Sequence, residues 1–316
     1  MRKFCIFLCL ICCTVAVARP KVALVLGGGG AKGAAEVGVL KVIERAGVPV
    51  DIVVGTSIGS IVGGLYAAGY TAAQLDTMFC QQEWISLLTD WKIDMSTDPY
   101  RVEDGVTYVF GFPVYDRNSQ GFGVIRGTQI EQMLDSMLTR QGCTDFSQLP
   151  KPFRCVAADF RHAREVVLGK GSVSRAMRAS MAIPGVFKPV SYEGMMLVDG
   201  GMTNNLPVDV ARSMGADIVI AVDLEQKQKQ ERPAADTGFL GAIASLLDFE
   251  GLLNWVTQRP DITKHHENAA NADIYIHPQL PDDDASNFGN KNAARIMAIG
   301  EQEAERHWQE LVRLKD

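Results

Sequence analysis

Ser57 lies between two glycines in Gly55-Thr-Ser-Ile-Gly59, after the apolar run Asp51–Val54 and before a helix-compatible stretch that opens at Ile58. Strand, tight turn and helix in that order describe a nucleophile elbow, which holds a serine hydroxyl out at a strand's end. Bulk beside such a turn would block both helix packing and substrate approach, so flanking glycines fit the geometry. Two further groupings could complete the chemistry. Gly28-Gly-Gly-Ala-Lys-Gly33 follows an apolar strand and precedes a helix, so the N–H groups of Gly28, Gly29 and Gly30 could face a developing oxyanion with no side chain in the way. Asp199 closes the run Met195–Val198, and Gly200 and Gly201 leave room around its carboxylate. A carboxylate is a poor base for a serine hydroxyl, so a Ser–Asp pair needs close positioning and exclusion of water. Read alone, Asp199-Gly200 is also a common turn pair.

Two rival uses of these residues make checkable demands. A glycine loop between strand and helix also binds dinucleotides, with an acidic residue roughly 20 positions on, at the end of the second strand, to hold the ribose. Here Asp51 stands at the start of that strand and its end is Gly55-Thr-Ser57, so the dinucleotide reading is disfavoured. A serine triad would need a histidine, and the candidates are His162, His265, His266, His277 and His307. His277, at a strand end before Pro278, is the best of these, with structural or surface roles favoured for all. No metal-ligand cluster is legible and no cofactor is implied, so calcium dependence is not expected.

Positioning these groups requires alternating elements. Lys21–Leu26 reads as a buried strand, about Ala31 to Ala46 as a helix, Asp51–Val54 as a second strand and Ile58–Ala68 as its helix. Such alternation predicts an α/β fold with a mainly parallel sheet covered on both faces. A helix from Ala72 to about Leu88 follows. Residues 90–125 are irregular and aromatic, with Val106, Tyr108, Phe110 and Phe112 alternating as in an exposed hairpin or flap. Thr128–Leu138 is helical by period, Phe153–Asp159 and Glu165–Leu168 form paired strands, and Ser172–Ser180 is a helix. Pro207–Met214 is a helix with proline in its first turn. Asp217–Asp223 and Asp273–His277 are strands, and Ala293–Leu314 is a closing helix.

Other residues carry two readings each. Arg175 and Arg178 could meet an anionic head group of a ligand, although a solvated helix face is favoured. Asp159 and Asp223, at strand ends, read as structural hydrogen-bonding groups before second acids. Phe239–Val256 is apolar and helix-compatible; core or partner packing is favoured over a lid, since it lacks the Lys and Arg of interfacial helices.

The first 18 residues stand apart. Arg2 and Lys3, the apolar Phe4–Val15 and Ala16-Val17-Ala18 match a secretory signal with its cleavage site, so export is expected, to the periplasm, the outer membrane or the medium. Loss of its two positive charges takes the formal charge from −6 to −8, a poor basis for binding nucleic acid. Cys80, Cys143 and Cys155 then remain, with no C-x-x-C spacing. Buried free thiols are favoured over a Cys143–Cys155 bridge.

Taken in order, the glycine loop, Gly55-Thr-Ser-Ile-Gly59, the block Ala179-Ser-Met-Ala-Ile-Pro-Gly-Val-Phe187 and Asp199-Gly-Gly201 resemble the patatin-like phospholipase family. The resemblance runs from about Val22 to Leu224, with a helical extension from about 237 to 316 beyond it. It implies a three-layer α/β/α sandwich and a serine lipid acyl hydrolase. Ser57 would be the nucleophile, Asp199 the proton acceptor, and Gly28–Gly30 the oxyanion hole. A phospholipid or other acyl-ester lipid would be the substrate, met at a membrane surface. An acyltransferase using the same acyl-enzyme and a non-catalytic lipid-binding or assembly protein are the alternatives. Lys32 stands where many members carry arginine, which keeps the charge and loses the fork geometry.

Overall fold

The computed structural model describes residues 19–89, 100–103, 106–109, 112–116, 123–225, 262–280 and 288–315. The signal-like segment, the polar stretch 226–233, Phe239–Val256 and the acidic turn 281–286 lie outside the described residues.

The chain opens with β1 (Val22–Leu26), a short 3-10 turn over Gly30–Gly33, α1 (Ala34–Ala46), β2 (Val50–Thr56) and α2 (Ile58–Ala67). The expected helix over 72–88 is two helices, α3 (Ala72–Gln81) and α4 (Trp84–Thr89), because Gln82 turns to an extended ψ of 141°. In the aromatic region, β3 (Tyr100–Glu103), β4 (Val106–Val109) and β5 (Phe112–Asp116) form a three-stranded antiparallel sheet. Next come β6 (Gly123–Ile125), α5 (Thr128–Gln141), β7 (Phe153–Asp159), β8 (Arg164–Leu168) and α6 (Val173–Ser180). They are followed by β9 (Gly185–Phe187), β10 (Val190–Tyr192), β11 (Met195–Asp199), α7 (Val208–Ser213) and β12 (Ile218–Val222). Beyond them lie α8 (Ile262–Ala270), β13 (Ile274–Ile276), α9 (Asn290–Arg306) and α10 (Trp308–Val312). Neither α8 nor the two short strands β9 and β10 was legible in the sequence, and the closing helix breaks at His307.

The main sheet has eight strands: β1, β2, β7, β12 and β13 pair in parallel, β8 and β11 run antiparallel to β7, and β10 pairs antiparallel with β11. Alternate residues of β1 enter different cores, as the pleat requires. Val22, Leu24 and Leu26 pack with α1, α2, α5, α6 and α9 on one face. Ala23 and Val25 pack with Leu206, Val208, Val210 and Ala211 around α7 on the other, and Ala269 of α8 rests on this second core. The result is the three-layer α/β/α sandwich with a mainly parallel sheet. Burial of each Val, Leu or Ile here contributes roughly 1.5–3 kcal/mol. No helix among the described residues is long and apolar enough to cross a membrane.

Strand register brings the chemistry together. Along one edge of β7, β2 pairs through Thr56 opposite Val156, and β11 pairs through Asp199 opposite Ala157. Because β8 takes the other edge from Cys155 to Asp159, β2 and β11 must share the same one. The two strands run in opposite directions, so their C-terminal ends meet head-on. Ser57 leaves β2 at that junction, next to the end of β11.

Candidate active site

Ser57 has φ 54° and ψ −122°, a conformation costly for a residue with a Cβ. Several hydrogen bonds hold it there. Ser60 donates to the Ser57 carbonyl oxygen through its backbone N–H (2.9 Å) and its Oγ (2.6 Å), and the Ser57 N–H donates to Ser180 Oγ at 2.9 Å. At roughly 0.5–1.5 kcal/mol each, three such bonds are enough to offset a strain of 1–3 kcal/mol. The flanking glycines follow from close packing of the α2 first turn. A Cβ on Gly55 would stand 2.3 Å from the Gly59 carbonyl oxygen, and one on Gly59 would stand 2.4 Å from that of Leu26. Both obstacles are backbone, which cannot swing aside.

Ser57 Oγ donates to Asp199 Oδ2 at 2.6 Å, and both residues are 7% exposed. The other carboxylate oxygen, Oδ1, accepts the Gly201 N–H at 2.8 Å, and the Asp199 N–H donates to the Ala182 carbonyl oxygen at 2.9 Å. The carboxylate is therefore fixed from two sides and presents one oxygen to the serine. Gly200 is required where the chain leaves β11, since a Cβ there would stand 2.1 Å from the Val156 carbonyl oxygen.

The glycine loop packs directly against the serine. A Cβ on Gly28 would be 3.1 Å from Ser57 Cβ and 2.3 Å from Asn205 Oδ1, and one on Gly33 would collide with Ile58. The Gly28 N–H, one of three amides expected to face an oxyanion, donates to the Asn205 carbonyl oxygen at 3.2 Å. Asn205 also donates from Nδ2 to the Gly28 carbonyl oxygen at 3.3 Å. The Gly29 and Gly30 N–H groups, at the N-terminus of the 3-10 turn, have no acceptor among the described residues.

The remaining candidates are placed elsewhere. His277 Nδ1 lies 3.0 Å from the Asp223 carbonyl oxygen, at the β12–β13 end, and makes no described contact with Ser57. Asp223 accepts from Tyr275 Oη (2.5 Å) and lies 3.0 Å from His265 Nε2. Burial raises its pKa, but the His265 and Tyr275 hydrogen bonds outweigh that and hold it below the usual range. Asp159 is buried and structural, with His162 Nδ1 at 2.6 Å and the Arg161 N–H at 3.1 Å; the His162 bond leads in holding its pKa down, against burial. His307 lies beside Glu310. Arg175 is exposed, as on a solvated face, but Arg178 is not. It is 1% exposed and donates to the carbonyl oxygens of Arg126 (3.2 and 2.6 Å) and Lys188 (3.1 Å), over the Phe187 ring. The carbonyls of two irregular segments need a donor there, so Arg178 is buried as a clamp. Cys80, Cys143 and Cys155 are free, so no Cys143–Cys155 bridge forms; Cys143 Sγ donates to the Gln141 and Gln148 carbonyl oxygens, and Cys155 faces the core.

Three residues at or beside the site were not singled out from sequence. Ser180 and Asn205 look like ordinary polar residues until the register is known. Glu36, in the first turn of α1 just past the glycine loop, is fully buried, and neither carboxylate oxygen has a partner among the described residues. Burial raises its pKa well above the ordinary range, and the nearby Gly27 amide offsets only part of that without forming a hydrogen bond of normal geometry.

The fold and this site define a three-layer α/β/α protein with a serine elbow facing a buried aspartate. Residues 24–212 match the family profile described as patatin-like phospholipase, and the chain belongs to that family. Patatin-like phospholipase domain-containing protein 6 of Mus musculus is 38% identical over 212 residues, covering 66% of this chain and 14% of that protein. An uncharacterized NTE family protein of Mycobacterium tuberculosis is 34% identical over 205 residues, 65% of this chain and 49% of the relative. The chain thus spans about 14% of the mouse relative's length and about half of the mycobacterial one's. The crystal structure of VipD from Legionella pneumophila superposes with a TM-score of 0.49 at 14% identity, covering 93% of this chain and 67% of that one.

Proposed function

We propose that this protein is an exported serine lipid acyl hydrolase acting on acyl esters of phospholipids or lysophospholipids at a membrane surface. The observation that carries the reading is the 2.6 Å hydrogen bond from Ser57 Oγ to a buried Asp199 carboxylate, within a chain of the patatin-like phospholipase family. Ser57 Oγ attacks the acyl carbonyl carbon as its proton passes to Asp199 Oδ2. The carbonyl π bond opens, and the negative oxygen is stabilised by the free amides of Gly29 and Gly30 beside the 3-10 turn. When that intermediate collapses, the C–O bond to the lipid alcohol breaks and the alcohol leaves with the proton from Asp199. Water then attacks the Ser57 ester, gives its proton to Asp199 and releases the fatty acid, with the proton returning to Ser57.

Low exposure of both residues favours this chemistry, since a carboxylate is a stronger base where water is scarce. A fluorophosphonate probe tests the reading by forming an adduct on the Ser57 peptide. Parallel assays with a labelled lipid, with and without an added alcohol, separate hydrolysis from acyl transfer: free fatty acid in both supports the hydrolase, whereas a new ester identifies an acyltransferase. Folded protein that neither labels nor turns over lipid would leave a lipid-binding role in place of the enzyme.

A further inference from the structure

Ser180 closes the junction where β2 and β11 end. It is the last residue of α6 and is fully buried. Its Oγ accepts the Ser57 N–H at 2.9 Å and donates to the Val156 carbonyl oxygen at 2.6 Å. Val156 is where β2 stops pairing with β7, so the hydroxyl continues a ladder that the elbow interrupts. Two residues further on, the Ala182 carbonyl oxygen accepts the Asp199 N–H at 2.9 Å. One three-residue segment therefore grips the backbone of both members of the Ser57–Asp199 pair, and it reaches them from a third element.

We propose that Ser180 is a positioning residue for catalysis: its hydroxyl fixes the strained Ser57 backbone so that Ser57 Oγ stays aligned on Asp199. The proposal rests on the reading of Ser57 as nucleophile. Local bonds within α2 hold only the Ser57 carbonyl; the Ser57 N–H is held by Ser180. Without that acceptor, the N–H is left buried and unpaired, and rotation about its φ would move the hydroxyl off the carboxylate. Reacting groups displaced by about 1 Å lose on the order of 100-fold in rate.

The test compares wild type, Ser180→Ala, Ser180→Cys and Ser57→Ala. Fluorophosphonate labelling counts competent sites, and hydrolysis of a chromogenic acyl ester gives kcat and KM per competent site. Ser180→Ala is expected to lower per-site kcat by ~10- to 100-fold with KM unchanged. Ser180→Cys, with a weaker donor and acceptor of similar shape, is expected to fall between the two. A wild-type per-site kcat in Ser180→Ala, whatever its melting temperature, overturns the positioning role. Should Ser180→Ala not fold, the per-site kcat of Ser180→Cys decides, with a reduced value in support and a wild-type value against. Wild-type hydrolysis by Ser57→Ala is a different result, and it overturns the nucleophile reading and this proposal together.

Discussion

A buried carboxylate that serves as a serine's base must present an oxygen to the hydroxyl proton. Asp199 does so with Oδ2, which accepts from Ser57 Oγ, while Oδ1 accepts the Gly201 N–H. The glycine loop is held as tightly, with Asn205 on either side of the Gly28 peptide. A methyl group at Gly28 would meet Asn205 Oδ1 at 2.3 Å and push the loop off its seat. Steady-state ester hydrolysis by Gly28→Ala is therefore expected to fall ~100-fold, and an unchanged rate would detach the loop from the chemistry. Glu36 gives a second residue-scale prediction. Its folded pKa is raised by burial, while an unfolded glutamate ionises near ~4.3. Above that pH the unfolded chain has released a proton that the folded chain keeps, so stability declines as pH rises, by up to ~1.4 kcal/mol per unit, until the folded pKa is reached. Urea titrations should find Glu36→Gln more stable than wild type at about pH 7, with the gap closing towards about pH 4. A gap that ignores pH would mean that Glu36 is ionised in the folded protein.

At the scale of elements, the elbow is legible in sequence because steric demands choose its residues. Gly55 and Gly59 are excluded from being anything larger by backbone atoms 2.3 and 2.4 Å away, so the motif survives as letters. The apposition of Ser57 and Asp199 is different, since it depends on two strands ending at adjacent residues of β7, a register that no local pattern encodes. Ser180 was missed for the same reason. The burial of Arg178 was missed because its partners, the Arg126 and Lys188 carbonyls, are distant in sequence. Strain at the elbow has a measurable sign. Ordinarily alanine is more stable than glycine by about 0.5–1 kcal/mol. At φ 54° the order should invert, with Ser57→Gly melting above Ser57→Ala by the equivalent of ~1 kcal/mol, both having lost the hydroxyl. Thermal melts showing Ser57→Ala as the more stable would mean that the backbone relaxes without cost.

Across the whole molecule, the alternation of apolar strands and helices was enough to predict the layered α/β architecture. The long-range closure was not, because it depends on small residues facing backbone. The closing helix α9 reaches α1 at two glycines: a Cβ on Gly300 would stand 2.0 Å from the Ala35 carbonyl oxygen, and one on Gly38 would stand 2.0 Å from that of Met297. Alanine gains about 1 kcal/mol over glycine in helix propensity. Overpacking against backbone costs typically 1–3 kcal/mol, so Gly300→Ala is expected to lower the melting temperature despite that gain. A raised melting temperature would show that the two helices separate at little cost. Since α1 begins just past the glycine loop, loosening this contact should also reduce activity.

In the proposed mechanism Asp199, and no histidine, takes the proton from Ser57. Its most direct test is lipid hydrolysis by Asp199→Asn, measured on protein shown by its melting curve to be folded. Asparagine keeps the shape and the Gly201 contact but cannot accept a proton at neutral pH. A fall in kcat of ~100- to 10,000-fold is expected, the usual worth of a positioned general base. Near-wild-type turnover by folded Asp199→Asn would contradict this assignment and show that another group takes the proton.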